Sequence, residues 1–134
     1  MKKFEITEGL LVGHEEIDAE HVYLAGLVNA GMDALEGGNG DKLPGILTEF
    51  EGGLKKHFLN EEKVMDELGY RKLDEHKEQH KRTLHEIEVM KNNLHNIELK
   101  HELILYTLID ALISDVVIPD FDLKSYLREI DYRG

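Results

Sequence analysis

A chain of 134 residues, 41% hydrophobic and 33% charged, has the size and balance of one ordinary globular domain, residues 1–134, with a proper core. Its formal net charge of −12 excludes nucleic acid and anionic membranes as main partners, because both require clustered Lys and Arg. With no Cys there is no disulfide framework, zinc ribbon, iron–sulfur cluster or thiol nucleophile.

Residues 1–17 read as an irregular arm whose Phe4, Ile6, Leu10, Leu11 and Val12 can lie across the body. The first residues lead into no apolar run, and no segment is apolar for the length of a membrane span, so the expected location is cytoplasmic. Asp18 is the expected N-cap of a first helix running to about Glu36, with His21, Leu24, Val28 and Leu35 on one face. Gly37, Gly38 and Gly40 break it. A second helix starts near Lys42 to Pro44 and reaches about Leu68, where Gly69 ends it as a C′ residue. Gly52 and Gly53 weaken its middle and would let a neighbouring element come close. A third helix runs from about Arg71 to Leu94 and a fourth from about Ile97 to Val117. After Pro119 a short helical tail carries Leu123, Tyr126, Leu127 and Ile130. Four long helices joined by short turns predict an all-α, up-down-up-down four-helix bundle with an N-terminal arm and a short C-terminal helix.

The histidines fall in phase with this pattern. His57 and Glu61 are four residues apart, as are His76 and His80, so each pair shares one helix face. Leu47, Phe50, Leu54, Val64 and Leu68 set an apolar stripe in which His57 and Glu61 fill the gaps. Leu73, Ile87, Met90 and Leu94 do the same for His76 and His80. Polar groups on an inward stripe need partners, and a metal supplies them. Taken alone, either pair reads as a surface pair or a core hydrogen bond. In the bundle, however, both pairs meet His21 at one end, where Asp115 and Asp120 also return. Imidazoles and carboxylates without thiolates suit iron or manganese, or zinc if it is offered. His14, His85, His95 and His101 read as surface or structural residues, and Glu62, Glu78, Glu86 and Glu102 as solvated faces.

These residues carry a resemblance to the bacterial hemerythrins over nearly the whole chain. Val12-Gly13, Ile17-Asp18 and His21 match the first motif. His57-Phe58-Leu59-Asn60-Glu61-Glu62 with Met65 and Gly69-Tyr70 matches the second, and His76-Lys77-Glu78-Gln79-His80 the third. The resemblance implies two iron ions, oxo- or hydroxo-bridged. His21 and His57 hold the one with an open position, His76 and His80 hold the other, and Glu61 and Asp120 bridge them. The fourth motif, His-x4-Asp, departs from the family: Asp115 stands five residues before Asp120 where a fifth His is usual, and Ala111 replaces a common Trp. Asp115 is then a ligand, direct or through water, or a solvated acid. Asp120 bridges or merely caps the tail helix.

In the family the ligand is dioxygen, so the resemblance implies an oxygen carrier, local store or sensor working as a monomer or weak oligomer on dioxygen or another small diatomic. Leu24, Leu54, Phe58, Leu84 and Leu112 would keep bulk water out. No general acid or base is obvious, which favours binding over turnover. The alternatives are a di-iron enzyme reducing dioxygen or peroxide or processing nitric oxide, and an iron-sensing bundle.

Overall fold

The computed structural model describes residues 3–95 and 100–133, which are mostly helical with no strand among them. Helix α1 spans Glu15–Glu36, α2 Leu43–Glu67, α3 Leu73–Asn92, α4 His101–Leu112 and α5 Asp120–Glu129. The expected start of the fourth helix near Ile97 lies outside the described residues. α1 packs on α2 and α4, and α3 packs on α2 and α4. His21 near the start of α1 meets His57 late in α2, and His101 at the start of α4 lies against Gly40 just after α1. Neighbouring helices are therefore antiparallel, the four-helix bundle that the apolar periodicity predicts.

Helix ends show where local chemistry sets the boundaries. α1 begins three residues before Asp18: His14 is its N-cap, its Nδ1 accepting the Ile17 N–H at 3.4 Å. Asp18 is recruited elsewhere, accepting the Val12 and Gly13 N–H groups at 2.7 and 3.2 Å and so folding the arm back on the helix. Asn29 fixes the arm further along, exchanging two hydrogen bonds of 2.7 Å with the Phe4 backbone. At the end of α2, Gly69 takes φ +67°. Its N–H donates to Asp66 and that of Tyr70 to Met65, at 3.1 and 2.8 Å. This is the Schellman arrangement that a C′ glycine allows. Gly53 does admit a neighbour, since a Cβ there would stand 2.9 Å from the Tyr23 ring of α1, whereas Gly52 faces open space.

The fourth helix differs from expectation. After Leu112 it widens into a π-helical turn over Ile113–Val117, with the Ile118 N–H donating to Ile113 O at 3.0 Å. A π turn rotates every later side chain relative to a continuous α-helix. The chain then enters α5 at Asp120.

Two apolar clusters frame one end of the bundle. The larger includes Leu24, Leu54, Phe58, Ile87, Leu108 and Leu112. The smaller, of Val12, Ile17, Val64, Met65, Tyr70, Leu123 and Leu127, closes the end where α1 starts, α2 ends and α5 crosses. Along α1 the order is Ile17, His21, Leu24; along α2 it is Phe58, Glu61, Met65. A polar layer is thus held between two apolar ones.

Candidate metal centre

His21, His57, Glu61, His76, His80 and Asp120 are all buried in that layer, none more than 4% exposed. Their donor atoms form two groups. One is His21, His57, Glu61 and Asp120; the other is Glu61, His76 and His80. Within each group the atoms lie within 4.8 Å of one another, and Glu61 belongs to both. His21 Nε2 is 2.8 Å from Asp120 Oδ2. His57 Nε2 approaches Glu61 Oε2 at 3.4 Å and Asp120 Oδ2 at 3.8 Å. On the other side His80 Nε2 is 3.1 Å from Glu61 Oε1, and His76 Nδ1 is 3.9 Å from it.

Two of these imidazoles are oriented by acids that sequence reasoning missed. His57 Nδ1–H donates to Glu20 at 2.6 Å, and His80 Nδ1–H donates to Glu62 at 2.7 Å. Glu62 is therefore partly buried beside the site and not on a solvated face, a correction to its sequence reading. Each bond leaves Nε2 as the inward-directed atom, the arrangement by which metal-binding histidines are usually held. The signal was in the sequence, because Glu20 and Glu62 each adjoin an inward site residue. Phe58 adds a wall, stacked on the His80 ring at 3.8 Å.

The donor set fits a cation on structural grounds. Among the buried side-chain atoms without a hydrogen-bond partner are His57 Nε2, Glu61 Oε2 and His76 Nδ1, all at the centre of the layer. Buried polar atoms are normally paired, so three orphans in one place point to a missing positive partner. Charges agree. Burial disfavours the His57 cation, yet the Asp120, Glu20 and Glu61 carboxylates outweigh it and raise its pKa well above the ordinary value. Burial likewise opposes the His80 cation, and Glu61 and Glu62 overcome it. For His76 burial wins and the pKa falls. Asp120 is held ionised despite complete burial, by Glu61, His21 and His57. The site attracts positive charge, and protons compete for two of its imidazoles.

Asp115 stands apart. It belongs to neither donor group and lines a groove of about 540 Å³ between α3 and α4, with Thr83, Glu86, Asp110 and Ala111. Burial, then Glu86 and Asp110, push its carboxyl up to about 6, against a hydrogen bond with Thr83. The π turn explains the placement, because it leaves Val116 and Val117, not Asp115, buried on the core side. Tyr70 is a further group that the sequence reading gave no role. It is 5% exposed, its hydroxyl is buried with no partner, and its ring lies edge-on to His76 with centroids 5.6 Å apart. Its phenol is pushed up to about 12, first by burial and then by the charges of Asp122, Asp120 and Glu61.

A four-helix bundle with two histidine–carboxylate groups sharing one acid defines a class of cation-binding bundles. The match to known families is consistent with it: residues 12–118 fit the hemerythrin HHE cation binding domain, and the chain belongs to that family. Asp120 lies just beyond the matched segment. Comparison with curated proteins finds no match. Among the described residues no helix is long and apolar enough to cross a membrane.

Proposed function

We propose that the polar layer holds two iron ions and that the protein binds dioxygen reversibly as a carrier, local store or sensor. The observation that carries this reading is the sharing of Glu61 between two groups whose central atoms lack partners. His21, His57 and Asp120 would hold one ion and His76 and His80 the other, with Glu61 shared between them. An iron pair, when bound, supplies redox electrons and open coordination positions for a small diatomic ligand. The chain's own residues do the rest. Glu20 and Glu62 keep two imidazoles in the tautomer that presents Nε2 inward. Leu24, Leu54, Phe58 and Leu112, all buried, exclude bulk water, and Leu84 covers them from a partly buried position. A groove of about 610 Å³ between α1 and α2 reaches His57, crossed by the Tyr23 hydroxyl donating to Glu49 at 3.2 Å, and suits a small ligand's approach.

The test is iron content with an optical spectrum, before and after anaerobic reduction and re-exposure to air. About two irons per chain and a reversible spectrum support the proposal. A folded protein that holds only traces of iron after anaerobic reconstitution sinks it. One observation favours a second reading, reduction of dioxygen or peroxide or processing of nitric oxide: the His76/His80 group has three protein donors against four in the other. Failure of the spectrum to survive repeated oxygenation cycles would favour that enzyme. In either case the reading is of a cytoplasmic monomer or weak oligomer.

A further inference from the structure

The two donor groups are unequal, and the inequality lies beside Tyr70. Glu61, His76 and His80 make three donors, one fewer than even a four-coordinate ion takes, so an added ligand would complete that half. The Tyr70 ring packs edge-on to His76, and its hydroxyl is buried with no partner, within range of the charges of Asp122, Asp120 and Glu61. A buried hydroxyl without an acceptor is destabilising, so its retention here wants a partner. The placement is also fixed. Tyr70 occupies the C″ position after Gly69, its N–H held by Met65. Tyr126 tilts against its ring at 5.1 Å and donates its own hydroxyl to Leu68 O at 2.7 Å, pinning the turn.

We propose that Tyr70 is a ligand-binding residue, whose phenol donates a hydrogen bond to a small anion that completes the His76/His80 half of the metal pair. This rests on the two-ion reading above. It makes that half a place where exogenous anions bind and are selected by their ability to accept a hydrogen bond. Larger or purely apolar ligands gain nothing from the phenol.

The experiment compares the wild-type protein with Tyr70→Phe, both loaded with iron, assayed for metal and titrated with azide. The azide charge-transfer absorption reports affinity, and near-ultraviolet tyrosine difference absorption of the wild type reports the phenol. We expect equal iron, about tenfold weaker azide binding by Tyr70→Phe, as loss of one hydrogen bond to a charged group implies, and a tyrosine signal on azide addition to the wild type. The metal-free variant should melt no lower than the metal-free wild type, because it loses only an unpartnered hydroxyl. Equal iron with unchanged azide affinity overturns the proposal, as does a wild type whose tyrosine absorption ignores azide. Loss of iron from the variant alone makes the phenol a structural support and also overturns it. Absence of iron from the wild type would instead remove the two-ion reading itself.

Discussion

The half of the polar layer built on α1 and the half built on α3 use the same chemistry with different support. His21 and His57 lie opposite Asp120, which the start of α5 brings in, so that half has two imidazoles and two carboxylates. His76 and His80 come from a single helix and share only Glu61, with the Tyr70 ring packed beside His76. The first half is assembled by tertiary closure of the chain and has four protein donors. The second is assembled locally and is left short. At the end of α4 a π turn leaves Asp115 outside both donor groups.

The largest expected effect removes the difference altogether. Glu61→Ala takes one donor from both groups, so iron should fall from about two per chain to a trace, measured by metal assay. Retention of one ion would mean that one half stands without Glu61. Next comes an unequal pair. His76→Ala leaves its group with two donors, whereas His21→Ala leaves the other with three. His76→Ala should therefore lose close to one ion per chain, and His21→Ala should retain more iron under the same dialysis. Equal losses would show that the halves are not unequal in hold. Metal removal should also lower the melting temperature, because binding to the folded state alone stabilises it by mass action. His76→Ala should lower it mainly in the iron-loaded protein.

Acidity sharpens the comparison from the other side. Metal requires neutral imidazoles, and the pKa values of His57 and His80 are raised while that of His76 is lowered. Iron affinity should therefore climb as pH rises through the elevated values, followed by proton release on binding. In the metal-free protein the sign reverses. The stabilisation from charged His57 and His80 is full below their unfolded value of about 6.5 and is lost as pH rises through their folded values, so apo stability should fall on the alkaline side. A flat profile would contradict the ion pairing seen at both rings.

The smallest effect belongs to Asp115. Its folded carboxyl titrates near 6, above the ordinary value, so its ionised form is disfavoured by folding. The cost is absent below about pH 4 and grows to its full size above about pH 6. Asp115→Asn should raise stability at pH 8 by about 1 kcal/mol after discounting for partial exposure, with little gain at pH 4. Iron content should not change. If it falls by half, Asp115 is a ligand despite its distance from both groups, and the inequality of the two halves is smaller than the structure implies.

What the sequence alone determined follows from helical periodicity. The four long helices, their antiparallel order and the inward placement of His57, Glu61, His76 and His80 come from residues spaced three and four apart, a signal carried within each helix. His21 was legible from its helix face and its level in the bundle, and Asp120 from its place just beyond the fourth helix; both are buried with the rest. Three things were decided by tertiary structure. Glu20 and Glu62 look like surface acids until another helix brings an imidazole within hydrogen-bond reach. The Tyr70 hydroxyl is buried only because α5 and the turn after α2 close over it. Asp115 falls outside both groups because the π turn changes the face that residues 113–117 present. A motif counts residues along the chain, while a ligand sphere depends on angle about the helix axis, and one widened turn separates the two.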